Sequence, residues 1–272
     1  IFLSLAGCAA LATPSFVKEE RKLGNEFKRK HADAFSSYTY ENRKLFFTRI
    51  GTLRQPKLIF IHGTPGSWSH FIRQISDPVL QNKFLVLSAD RFGFGQSGPG
   101  IVETSIEKQA LSLMPLLDQD DPQSPVILVG HSYGGPIVAR MAMTRDPRIK
   151  SVIILAGPAN PELEAAKWFH IVGEWDLVSW LIPTVWRTAN REILSLQSEL
   201  KKMESLWSKI TASVVILQGD ADKLVNPRNA DFMKENIPGA VAYRLPGIGH
   251  ILAVDAKPIV LDLILKERDK LP

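Results

Sequence analysis

The chain has 272 residues, enough for one α/β domain with a small insertion, and its 45% apolar content is ample for a buried core. A net charge of +5, with no segment where aromatic residues and cations interleave, argues against a nucleic-acid-binding module. The single cysteine excludes intrachain disulfides, and the absence of repeats and low-complexity tracts excludes fibrous and solenoid architectures.

The chain opens on Ile1-Phe-Leu-Ser-Leu-Ala-Gly-Cys8. Leu5-Ala6-Gly7-Cys8 resembles a bacterial lipobox, and residues 1–7 read as the end of a signal peptide. That resemblance implies cleavage before Cys8, lipidation of Cys8 and peripheral attachment to the bacterial cell envelope through the lipid anchor. Ala9, rather than Asp, would favour the outer membrane of a Gram-negative cell. A secretory signal with a secreted or periplasmic product is the alternative. The apolar run is too short to span a bilayer. Residues 8–35 read as the lipid-anchor cysteine and a linker, with room for a short helix. Its clusters Lys18-Glu-Glu-Arg-Lys22 and Lys28-Arg-Lys30 are either solvated or weakly drawn to anionic lipid.

Residues 36–272 read as the globular domain. Tyr38 to Gly51 alternates apolar and polar residues, which predicts an antiparallel hairpin turning at Glu41-Asn-Arg-Lys44. From Leu58 onward, buried apolar runs alternate with helical segments, the pattern of a parallel sheet. Strands are expected at Leu58–Ile61, Phe84–Ser88, Val126–Gly130, Val152–Leu155, Val214–Gln218 and Ala242–Leu245. Helices are expected over 72–80, 105–117, 137–144, 231–236 and 258–266. The segment between Gly157 and Val214 is longer than a plain αβ connection needs. Residues 161–209 therefore read as an insertion, which holds Trp168, Trp175, Trp180, Trp186 and Trp207 of the six tryptophans. These rings either pack the insertion onto the core or line an apolar substrate pocket, with Trp175 and Trp180 as the candidates for substrate contact.

The strongest chemical signal lies in Pro125-Val-Ile-Leu-Val-Gly-His-Ser132-Tyr-Gly-Gly135. A buried strand runs into the G-x-S-x-G pentapeptide Gly130–Gly134, and a helix follows, with Pro136 in its first turn. This is the strand–turn–helix setting of a nucleophile elbow, which exposes a serine hydroxyl on a strained turn. Four further motifs follow a recognisable order. They are Lys57-Leu-Ile-Phe-Ile-His62-Gly63-Thr64-Pro65-Gly66-Ser67, the loop Asp90-Arg91-Phe-Gly93-Phe-Gly95-Gln-Ser97 after its strand, the turn Gly219-Asp220-Ala-Asp222, and Gly247-Ile-Gly249-His250.

Together these motifs, over residues 38–268, resemble the α/β-hydrolase family. The resemblance implies an α/β fold with a mostly parallel eight-stranded sheet flanked by helices, and a small helical cap inserted after the sixth strand. It implies a catalytic triad of Ser132, Asp222 and His250, and an oxyanion hole of the backbone N–H groups of Thr64 and Tyr133. Asp220 is the alternative acid. Asp222 is favoured because a short apolar segment and a proline, Lys223-Leu-Val-Asn-Pro227, follow it as they do in the family. The Thr64 hydroxyl is either a further donor or bonded within its loop. His62, Asp90 and Arg91 read as organisers of their loops, and His70, His131 and His170 have no assigned role. No cluster has metal-ligand spacing, and Gly93-x-Gly95 lacks the third glycine of a dinucleotide fingerprint, so no cofactor is expected.

Relatives that open epoxides or displace halide use aspartate as nucleophile. Serine points instead to acyl transfer through an acyl-enzyme. Hydrolysis of a small or medium carboxylic ester is the expected reaction. A C–C bond hydrolase or a cofactor-free perhydrolase would use the same triad. A ligand-binding protein on a hydrolase scaffold is the non-enzyme alternative, disfavoured because such proteins usually lose a triad member and all three are retained here.

Overall fold

The computed structural model describes residues 14–166, 170, 171, 173, 175 and 182–271, with side chains from Lys18 onward. Successive residues of a strand face opposite ways, and this alternation gives the sheet two apolar faces. Ile59, Ile61, Leu128 and Ile154 pack on one face, and Leu58, Phe60, Val129 and Leu155 on the other. The strands are β1 (Phe35–Tyr40), β2 (Arg43–Gly51), β3 (Lys57–Ile61), β4 (Leu85–Ala89), β5 (Val126–His131), β6 (Ile149–Leu155), β7 (Ser213–Gly219) and β8 (Val241–Leu245). They form one eight-stranded sheet in the order β1-β2-β4-β3-β5-β6-β7-β8. β2 pairs antiparallel with β1 and β4, and the other pairs are parallel. The β1–β2 hairpin turns at Glu41 and Asn42 alone, both with positive φ, the geometry that matches the twist of two paired strands.

Helices cover both faces. α2 (Ile106–Leu113), α3 (Gly134–Ala142) and α5 (Arg228–Asn236) lie on the first, and α1 (Pro14–Lys30) and α6 (Lys257–Asp269) on the second. The single helix expected over 72–80 is instead two short helices, Ile72–Ile75 and Pro78–Lys83. Pro78 has no N–H to continue the ladder, and Asp77 caps the second helix through a bond from the Val79 N–H (3.0 Å).

The linker expected over residues 8–35 is corrected by α1. Residues 14–30 are helical and packed on the body. Leu23, Gly24 and Phe27 recur on one side of the helix, and Gly24 and Phe27 are buried. The Phe27 ring lies 5.6 Å from that of Trp68 and 6.1 Å from that of Phe35. One narrow apolar stripe is enough to dock a helix whose other residues are mostly charged. Cys8 and the signal-like segment lie outside the described residues.

Between β6 and β7 the chain forms a 3-10 turn at Pro161–Leu163, the long helix α4 (Thr184–Met203) and a second 3-10 turn at Glu204–Lys209. α4 sends Leu196, Leu200 and Met203 into the first apolar core. Among the described residues no helix is long and apolar enough to cross a membrane.

Candidate active site

Ser132 stands at the carboxyl end of β5, next to the centre of the sheet, with φ +53°. A side chain other than glycine seldom adopts this left-handed conformation, which costs about 1–3 kcal/mol and persists only where the surroundings enforce it. Here the Ser132 N–H donates to the Leu155 carbonyl (2.9 Å), and the Ser132 carbonyl accepts from Gly135 (2.8 Å). Two glycines make room for the turn. A Cβ at Gly63 would lie 2.8 Å from Ser132 Cβ and 3.4 Å from its Oγ, and one at Gly134 would collide with the Ile61 carbonyl. Ser132 is therefore seated directly against the loop that follows β3.

Asp222 and His250 come from the turns after β7 and β8. The His250 Nδ1 lies 2.8 Å from Asp222 Oδ2, and both residues are buried. Asp222 also accepts from the Leu224 N–H (2.8 Å), the Val225 N–H (3.0 Å) and Gln218 Nε2 (3.1 Å). Burial pushes its carboxyl up, but the bonds from His250, Leu224 and Val225 outweigh that, and its pKa is lowered overall. An ionised Asp222 accepts a hydrogen bond from Nδ1–H, and in a neutral imidazole with that tautomer the lone pair lies on Nε2. Asp220, the alternative acid, is half-exposed and bonded instead to Arg244 Nε (2.6 Å).

His131 supports this loop from below. Its Nε2 lies 2.8 Å from the His250 carbonyl, which can only accept, so Nε2 carries the hydrogen. Its ring stacks on His70 at 4.6 Å. Burial first, and the neighbouring His250 second, push the His131 pKa down to about 3, so it is neutral near pH 7.

The loop after β3 is organised around Arg91. His62 Nδ1 bonds the Gly63 carbonyl (2.7 Å), and His62 Nε2 accepts from the Arg91 N–H (3.0 Å). The first bond requires a hydrogen on Nδ1 and the second a lone pair on Nε2, which defines one neutral tautomer. Burial, then the charge of Arg91, hold the His62 pKa well below its ordinary value. Asp90 ties the same region together through the Trp68 N–H (2.7 Å) and the Gln96 N–H (2.8 Å). The Thr64 hydroxyl has no partner among the described residues. Tyr133 is buried, with its ring 5.0 Å from the Arg91 guanidinium. The ion pair of Arg91 is made with Glu192 on α4, and no local signal in the sequence points to that partner.

The expected tryptophan pocket divides. Trp207 is 1% exposed in the core beneath the sheet, edge-on to Phe232, and is a packing residue. Trp175 is 61% exposed. Trp168 and Trp180 lie outside the described residues. Among the described residues no group of His, Cys, Asp and Glu is arranged to hold a metal ion.

A family model described as alpha/beta hydrolase fold matches residues 56–179. The chain is 33% identical over 121 residues to bifunctional epoxide hydrolase 2 of Sus scrofa, covering 43% of this chain and 21% of that protein. It thus spans about a fifth of that relative's length. It is 24% identical over 213 residues to monoglyceride lipase of Rattus norvegicus, covering 66% of this chain and 70% of the lipase. Among solved structures, the enol-lactonase from Burkholderia xenovorans LB400 is similar with a TM-score of 0.67 at 15% identity, over 86% of this chain and 100% of that one. That likeness is one of fold.

Proposed function

We propose that this chain, an enzyme of the α/β-hydrolase fold, is a serine hydrolase that cleaves a small or medium carboxylic ester through an acyl-enzyme. The observation that carries the reading is Ser132 on a left-handed turn against Gly63, in the chain that also buries an Asp222–His250 pair at 2.8 Å. The epoxide hydrolase relative is a reason to consider alkyl transfer. Serine in the nucleophile's place favours acyl transfer instead, because an alkoxide attacks a carbonyl and leaves an ester that water can cleave.

In the proposed mechanism, His250 Nε2 takes the Ser132 proton as Oγ attacks the ester carbonyl. Asp222 keeps the hydrogen on Nδ1 and stabilises the imidazolium that forms. The negative charge on the former carbonyl oxygen is met by the N–H groups of Thr64 and Tyr133. As the tetrahedral intermediate collapses, His250 returns the proton to the departing alcohol, and Ser132 keeps the acyl group. Water, deprotonated by His250, then attacks the acyl-enzyme, releasing the carboxylic acid and restoring the Ser132 hydroxyl.

Ser132→Ala should lower kcat on p-nitrophenyl esters by about four orders of magnitude, as removal of a triad nucleophile does elsewhere, with an unchanged circular-dichroism spectrum. A fluorophosphonate should label the wild type at Ser132 and leave the variant unlabelled. Retention of about a tenth of wild-type activity by the folded variant would remove Ser132 as nucleophile. Preferential turnover of a vinylogous diketone over the ester panel would move the reaction to C–C bond hydrolysis on the same triad.

A further inference from the structure

Glu192 lies on α4 in the cap and is fully buried against Arg91. We propose that Glu192 is a positioning residue for the oxyanion hole: acting through Arg91, it fixes the Gly63–Thr64 peptide and so joins the cap helix to the oxyanion donor. The inference rests on the serine-hydrolase reading and deepens it.

All five guanidinium hydrogens of Arg91 are spoken for. Nη1 donates to Glu192 Oε1 and Gln109 Oε1, both at 2.6 Å. Nη2 donates to Glu192 Oε2 (3.0 Å) and the Gly63 carbonyl (2.9 Å). Nε donates to the His62 carbonyl (3.0 Å). The bidentate carboxylate sets the plane of the guanidinium. Gln109 strengthens the grip by donating its Nε2 to Glu192 Oε1 (2.6 Å). With that plane set, the remaining two hydrogens have one direction each, and both point at carbonyls of the oxyanion loop.

The Gly63 carbonyl belongs to the same peptide group as the Thr64 N–H. That peptide is trans and planar, so its C=O and N–H point in opposite directions. Anchoring the carbonyl on Arg91 and His62 therefore aims the Thr64 N–H away from Arg91. Gly63 itself stands against Ser132. A donor helps an oxyanion only when it is aimed before the charge develops, so rotation of this peptide weakens the transition state without weakening substrate binding. Stability alone is a poor reason for the pair, because a buried ion pair replaced by apolar residues of similar volume is often neutral or stabilising.

The test uses E192Q and the apolar double variant Arg91→Met/Glu192→Leu. Thermal melts, kcat and KM on p-nitrophenyl esters, fluorophosphonate labelling rates and inhibition by an aryl trifluoromethyl ketone are measured on each. The ketone forms an oxyanion when Ser132 adds to it. Loss of an oxyanion donor costs about 100- to 1,000-fold. His62 remains as a second anchor on Gly63, so the expected fall in kcat is about 10- to 100-fold, with KM within about threefold and with ketone inhibition weakening in parallel. A folded double variant whose kcat stays within about twofold of wild type overturns the inference, as does a rise in KM alone. A double variant that fails to fold also overturns it, because the pair would then act in stability rather than positioning. These outcomes are separate from failure of the underlying reading. If the wild type is not labelled at Ser132, the serine mechanism fails; if wild type and variants are labelled at equal rates, only the role of Glu192 fails.

Discussion

Asp222 and Asp220 are two positions apart and have opposite surroundings. Asp222 is buried, holds His250 and accepts two backbone N–H bonds, whereas Asp220 is half-exposed and paired with Arg244. Asp222→Asn replaces one carboxylate oxygen by an NH2 group. In the proposed mechanism that change favours the wrong imidazole tautomer, and kcat should fall by about 10⁴-fold. Asp220→Asn removes a surface ion pair, worth about 1 kcal/mol at most, and should leave kcat nearly unchanged. Steady-state kinetics on one ester series decide between them, and the reverse ranking would make Asp220 the catalytic acid.

At the scale of elements, the insertion between β6 and β7 does two jobs with similar residues. Its last turn buries Trp207 in the main core, and α4 sends Glu192 to Arg91 while Glu199 accepts from the Ile106 N–H at the start of α2 (2.9 Å). Trp175, by contrast, is largely exposed. Trp207→Ala should therefore cost about 3–5 kcal/mol of stability, read from denaturant melts, with relative rates across an acyl-chain series unchanged. Trp175→Ala should cost less than about 0.5 kcal/mol. If Trp175 meets the acyl chain, its replacement shifts chain-length preference; an unchanged profile removes it from the substrate site.

The whole molecule carries an acid-sensitive cluster. Burial holds the pKa of His62 and His70 well below the ordinary value and that of His131 near about 3, so all three are neutral when folded at pH 7. The unfolded chain takes up these protons as pH falls below about 6.5, while the folded chain does not. The unfolded state then binds more protons, so stability is present above that pH and is lost as pH falls toward the folded values. Glu20 works in the opposite sense. Burial raises its pKa to about 7, so its contribution is full below the unfolded value of 4.5 and declines as pH rises through 7. Asp90, whose pKa burial raises to about 6, acts in the same sense as Glu20. Three imidazoles outweigh two carboxylates, and the melting temperature should fall between pH 7 and pH 5. His131→Gln keeps a donor for the His250 carbonyl but cannot titrate, so it should flatten that fall. A melting temperature that is constant or rises toward pH 5 would contradict the assignment.

What the sequence determines by itself is local. Apolar runs between turn residues mark the strands, because a central parallel strand is buried on both faces and cannot alternate. Gly130 and Gly134 around Ser132 mark the elbow, because the turn has no room for Cβ atoms there. The clustered charges of residues 18–30 hide α1, since a stripe of Leu23, Gly24 and Phe27 is too narrow to stand out from a polar segment. Tertiary structure alone decides which distant groups meet. The Arg91–Glu192 pair closes over 101 residues, and the His131 bond to the His250 carbonyl over 119. An arginine and a glutamate read the same in sequence whether they are solvated or buried together. Only the packing of α4 on the sheet removes water from both and compels them to pair.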